Sequence, residues 1–255
     1  VIQTLSGRIQ DFADAVAHAD RSLCATRTAG QTPVLSNRSS LVIRRLALAS
    51  SLALVSLPLY ATTYTLEPDY TQGVFRWDHL GFSSPAAQFS QAAGTLEFDP
   101  ADPTKASVRV TIPLESLHTG VPELDEHLRS KDFFETSRFP TATFSSTRVE
   151  KDPATGQLKV TGDLSLHGVT KPVVLDVRLT KIGPNVRTNV PTIGFDATAT
   201  LKRSEFGLGH FVPLVSDEIQ IRIGCEAGEA KAYAEMLKAE AAEEAAAAKD
   251  AAQKK

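Results

Sequence analysis

From Thr63 onward the chain alternates apolar and polar residues with a period of two. Tyr64 and Leu66 begin it, and Val108, Val110 and Ile112 repeat it. Leu158 and Val160, Leu164 and Leu166, then Val173, Leu175, Val177 and Leu179 carry it on. Phe195, Ala197, Ala199 and Leu201, and finally Ile219, Ile221 and Ile223, complete the series. Successive side chains of a strand point to opposite faces, so this pattern predicts half-buried antiparallel strands. The separators are turn formers: Asp99-Pro100, Asp152 to Gly156, and Gly183-Pro184-Asn185. About eight strands are predicted, enough to close a small barrel that holds either packed side chains or one ligand. Closure also removes the exposed sheet edges that would otherwise invite aggregation.

Two stretches break the period. Val121 to Lys131 predicts a short helix: Pro122 suits the first turn, Glu123, Asp125 and Glu126 lie near the positive helix end, and Leu124 and Leu128 give one inward face. It leads through the aromatic pair Phe133-Phe134 to Pro140, then into a strand with Ala142, Phe144 and Ser146 on one face. Such a pair reads either as a lid over an apolar cavity or as ordinary core. From Ala230 to Lys255 the chain is almost entirely Ala, Glu and Lys, and its apolar stripe fades after Leu237, which predicts a solvated helical tail. The expected fold class is all-β: an eight-stranded antiparallel barrel with a short helix at the mouth and an Ala-rich C-terminal helical tail.

Ahead of the strands, Arg44-Arg45, the apolar run Leu46 to Leu59 and the small-residue site Leu59-Tyr60-Ala61 have the build of a secretory signal. The apolar run is short of the roughly 20 residues a membrane span needs. The expected organisation is therefore an upstream extension, misassigned or disordered, at 1–40, and a signal peptide at 41–61 cleaved near Ala61. A barrel follows at 62–226 and a helical or disordered tail at 227–255.

Composition narrows the function classes. The chain has 255 residues, 42% hydrophobic, with a formal net charge of −3. It lacks the basic stripe of a nucleic-acid binder, so no nucleic-acid partner is expected. Two cysteines make no disulfide framework, and Cys225 near the end of the last strand reads as a buried small hydrophobe. His79, His118, His127, His167 and His210 form no HxH or HExxH pattern, so no metal is expected. No GxSxG, P-loop or paired carboxylate marks a catalytic centre, and no catalytic residue or cofactor is expected. The aromatics speak instead for an apolar binding site, since such sites are lined mostly by apolar side chains with few polar groups.

Four segments, in order, resemble the YceI-like family: RWDHLGFSS near residue 80, HLRSKDFFETSRFPTATFSS at 127–146, TGDLSLHGVTKPVVLDV at 161–177 and FDATATLKRSEFGLG at 195–209. Within the last, Arg203-Ser204-Glu205-Phe206-Gly207 matches that family's Arg-x-x-Phe-Gly stretch. The resemblance implies a periplasmic, lipocalin-like barrel that binds a polyisoprenoid lipid, of polyprenyl phosphate or quinone type, for carriage or storage. It further implies an association with stress responses, homodimers, and transient membrane contact during lipid exchange. The expected tunnel residues are Phe82, Phe89, Phe98, Leu128, Phe133, Phe134, Phe144 and Phe206. His79 is either a hydrogen-bonded barrel histidine or a contact to a ligand head group. Arg203 is either packed against a barrel carboxylate or placed near a phosphate or quinone. Two rival readings remain: an enzyme acting on a small amphipathic substrate in the same cavity, and a structural barrel with a filled core.

Overall fold

A computed structural model describes residues 61 to 253, and the segments expected as extension and signal peptide lie outside the described residues. Among the described residues ten strands are formed: β1 (Thr62–Leu66), β2 (Gln72–Arg76), β3 (Ala86–Phe89), β4 (Ala93–Phe98), β5 (Ser107–Pro113), β6 (Thr141–Lys151), β7 (Leu158–Leu166), β8 (Val169–Pro184), β9 (Pro191–Lys202) and β10 (Glu218–Glu229). All pairings are antiparallel, in the order β1-β4-β5-β6-β7-β8-β9-β10, and β1 pairs back onto β10 to close a ring of eight. The eight-stranded barrel expected from the alternation is thus formed.

The two further strands follow from a break in the first hairpin. β1 leaves β10 after Leu66 opposite Ala227, a 3-10 turn at Pro68–Tyr70 intervenes, and β2 rejoins the same edge of β10 with Gly224 opposite Gln72. The return strand is broken likewise, β3 pairing with β2 and β4 with β1. On its far side β3 meets the ring only at Gln88, which exchanges two 2.9 Å backbone hydrogen bonds with His118, and at Ser90, whose N–H donates to Ser116 Oγ at 3.2 Å.

Inward positions alternate as the pattern demands: Ile219, Ile221, Ile223 and Cys225 on β10, and Phe195, Ala197 and Leu201 on β9, line the interior. Phe144 rests on Gly162 of the neighbouring strand, where a Cβ would collide with its ring. Leu179 departs from the expected series. It keeps its register opposite Phe195 but is partly exposed, and the ladder between β8 and β9 slips just beyond it, between Leu179 and Lys181.

The short helix, α1 (Pro122–Arg129), sits between β5 and β6. A long helix, α2 (Ala230–Gln253), continues β10 directly. Tyr233 packs over Gly228 at its start, and from Leu237 to Ala252 its side chains are exposed. Among the described residues no helix is long and apolar enough to cross a membrane.

Candidate functional site

The barrel encloses a cavity of about 490 Å³ that runs from the α1 end to the far floor. All the long connections gather at the α1 end: β2 to β3, β5 to β6 through α1, and β9 to β10. That end is the mouth. The β4–β5, β6–β7 and β8–β9 turns form the floor, together with the start of α2.

The aromatic pair divides the work at the mouth. Leu124 and Leu128, one helical turn apart, face inward and line the cavity. Phe134 turns down into an aromatic wall, edge-on to Phe89 at 5.5 Å and to Phe75 at 6.2 Å, while Phe75 stacks on Phe89 at 5.3 Å. Phe133 stays up at the rim, edge-on to His127 at 5.0 Å and to His210 at 5.8 Å, with Phe211 at 6.3 Å. Deeper in, Phe144 lines the middle, and Phe98, edge-on to Phe195 at 5.7 Å, lines the floor.

Asp125 anchors α1. Its Oδ1 accepts from Thr119 N–H at 2.7 Å and Thr119 Oγ1 at 2.6 Å, and its Oδ2 lies 3.1 Å from His118 Nδ1. The Thr119 hydroxyl, the Thr119 N–H and His118 hold this carboxyl below the usual aspartate range, against the opposing effect of its burial.

Arg203 lines the upper cavity without offering a free cation. Its guanidinium donates to four backbone carbonyls: Ser216 at 2.8 Å, His210 at 2.8 Å, Val215 at 3.0 Å, and Leu208. These belong to the loop from β9 to β10, so Arg203 pins that loop over the mouth. Burial pulls its pKa down and Asp217 opposes this. Asp217 itself accepts from Ser204 N–H at 2.8 Å and Ser204 Oγ at 2.7 Å. Burial pushes the Asp217 carboxyl up, but Ser204, Arg203 and Lys202 outweigh it, and the net shift is downward.

The structure brings Phe89, Phe98, Leu128, Phe133, Phe134, Phe144, His79 and Arg203 to the cavity wall. It places two other candidates elsewhere. Phe82 stands in solvent, because the turn through Leu80 and Gly81, both at positive φ, swings it away from the opening. Phe206 is fully buried behind the wall, turned under by the 3-10 helix Arg203–Phe206, and serves as core. His79 lies beyond the end of β2, bridged to Ser83 and Val215, rather than on a strand. His167 sits at positive φ in the β7–β8 turn, its Nδ1 3.1 Å from Phe206 O.

The expected tunnel set left out Trp77, Phe75 and Phe195, and most of the aliphatic wall, such as Val110, Leu164, Val173 and Ile221. The period-two pattern already contained Phe195 and the aliphatic positions as inward-facing residues. Near the floor, Cys225 faces the cavity and receives a 3.7 Å hydrogen bond from Thr71 Oγ1; its thiol is pushed up to about 11, chiefly by burial. Arg203 is the one Lys, Arg, Asp or Glu in the wall among the described residues. The described residues hold no cluster of three or more His, Cys, Asp or Glu able to bind a metal.

Comparison with known proteins matches residues 64–227 to the YceI-like domain. The chain is 40% identical over 152 residues to Protein YceI of Escherichia coli O157:H7, covering 60% of this chain and 78% of that protein. Its fold resembles that of BcnA from Burkholderia cenocepacia, with a TM-score of 0.57 at 24% identity over 63% of this chain and 98% of that one. It also resembles a polyisoprenoid binding domain from Saccharophagus degradans, with a TM-score of 0.51 at 16% identity over 66% of this chain and 99% of that one.

Proposed function

The chain belongs to the YceI-like family, and we propose from that premise that its barrel is a binding protein for a long polyisoprenoid lipid, of polyprenyl phosphate or quinone type, held for carriage or storage. One observation carries this reading: the cavity wall stays apolar from Phe133 and Phe211 at the mouth to Phe98 and Val177 at the floor. Its volume falls within the roughly 300–1,000 Å³ of small-molecule sites. Each methylene withdrawn from water contributes about 0.8 kcal/mol, so a long hydrocarbon needs no strong polar anchor. The engagement of Arg203 with loop carbonyls fits this economy, because the donors of the wall's permanent cation are already taken up by the protein's own backbone. The solved neighbour from Saccharophagus degradans described as a polyisoprenoid binding domain lends the ligand class. The leader-like segment at 41–61 supports a periplasmic location.

The reading is tested by native mass spectrometry of detergent-free protein, followed by organic extraction and then by adding polyprenyl phosphate and a long-tailed quinone separately. A stoichiometric adduct that is released as an isoprenoid, or uptake of either added lipid, is the expected result. A bare chain that takes up neither lipid would overturn it and leave a barrel filled by its own side chains.

A further inference from the structure

Two loops at the mouth, residues 77–85 and 204–217, carry five of the twelve large apolar side chains exposed among the described residues. Phe82 is 89% exposed, Leu214 69%, Phe211 51% and Leu80 46%, with Val212 beside them. Scattered single exposures are ordinary, but five on two touching loops around one aperture are not. We propose that these loops form one platform that seats the mouth of the barrel on a phospholipid bilayer. The proposal rests on the lipid-binding reading above, since the bilayer is where such a ligand resides.

The apolar side chains are held outward by construction. Leu80 has φ 60° and Phe211 φ 65°, in the left-handed region that bulky residues avoid unless their surroundings impose it. The imposing contacts are polar: two cross between the loops and one closes the first loop on itself. Ser216 N–H donates to Asp78 O at 3.0 Å, Asp78 N–H donates to Ser216 Oγ at 2.9 Å, and Gly81 N–H donates to Asp78 Oδ1 at 2.8 Å. Arg203 fastens the second loop from beneath through its four carbonyl contacts. These bonds fix the backbone of both loops, which leaves Phe82 and Leu214 standing at the crest, with Phe211 half-exposed beside them against His210 and Phe133.

Charge and size narrow the partner to a membrane. Leu80 to Gln88 and Phe211 to Ser216 contain no ionisable side chain, and the carboxylates of Asp78 and Asp217 are occupied by loop groups. A neutral crest suits the acyl and glycerol level of zwitterionic lipid and predicts little dependence on salt or anionic lipid. A second copy of the chain fits less well. Stable interfaces use roughly 20–30 residues a side, whereas this crest is a few tips on two loops, and a copy seated there would cover the aperture.

The test is flotation of the full protein with phosphatidylcholine vesicles. Wild type is expected to float, with Trp77, the single tryptophan of the chain, shifting its emission to the blue. The double variant F82S/L214S, altered only at exposed positions outside the cavity wall, is expected to lose at least about tenfold in partitioning. V186S, on the exposed tip of the β8–β9 turn at the opposite end, is expected to behave as wild type. Wild type that stays with the unbound fraction, or a double variant that floats equally well, overturns the proposal. So does a wild-type dimer in sedimentation that F82S/L214S abolishes, since the crest would then join two copies. Uptake of polyprenyl lipid from solution, measured in parallel, separates the two readings. Uptake without flotation overturns docking alone, and absent uptake overturns the cavity reading.

Discussion

At the floor of the barrel each turn is tied within itself. Asp99 Oδ1 accepts from Ala101 N–H, Asp152 Oδ1 from Ala154 and Thr155, and Asn185 Oδ1 from Arg187, each only two or three residues away. The mouth adds ties across the fold: Asp78 and Ser216 join loops 138 residues apart, and Arg203 gathers the carbonyls of the whole β9–β10 loop beneath them. The floor can therefore be completed hairpin by hairpin. The mouth has to wait until β2 and β10 lie side by side, because loop closure over such separations costs entropy before any contact forms. Local ties make a rigid base, and long-range ties make a rim whose order depends on a few buried polar side chains.

That contrast is open to attack at either end. Arg203→Ala strikes the rim hardest, since it strands four carbonyls beneath the loop; a loss of about 3–5 kcal/mol is expected in urea denaturation. Arg203→Lys should not restore it, because one ammonium cannot serve that fork of acceptors. Phe98→Ala at the floor, where the ring is 1% exposed, should cost about 3–5 kcal/mol by leaving a hole in packed core. Phe133→Ala at the rim sharpens the comparison from the other side. A stability loss of about 1 kcal/mol is expected there, but a much faster release of a bound hydrocarbon in a lipid-retention assay.

Smaller effects follow from the titrating groups. Asp125 and Asp217 have folded-state pKa values held below the ordinary carboxylate range. Their contribution is therefore full above the unfolded value of about 3.9 and is lost as pH falls through the folded value. The mouth's share of this loss should be read on acidification as quenching or exposure of Trp77, and Asp125→Asn should flatten that response. Cys225 should react with iodoacetamide very slowly at neutral pH, with the rate still climbing toward pH 11. A bound hydrocarbon should slow it further.

The ring of strands was legible because alternation is local: Ile219, Ile221 and Ile223 declare an inward face without knowledge of their partners. The mouth helix was legible for the same reason, from Pro122 and the Leu124–Leu128 pair. What escaped depends on non-local geometry. Phe82 and Phe89 are the same residue seven positions apart, yet the positive-φ turn at Leu80-Gly81 sends one to solvent and the other to the wall. The partners of Arg203 are main-chain carbonyls, which no side-chain pattern announces. Leu179 keeps its register opposite Phe195 yet is partly exposed, and the slip just beyond it leaves no mark in hydrophobic spacing.

The broken first hairpin has a consequence for how the wall opens. On one side the β2–β3 flap is sewn to β10 over five residue pairs; on the other it is closed by the Gln88–His118 exchange and the Ser90–Ser116 bond. A ring held so unevenly does not breathe uniformly. It has a zipper, and the amides of Gln88 and His118 are where hydrogen exchange should begin. A ligand bulkier than the aperture can thus enter by parting one seam, while the other strands keep every rung of their ladders.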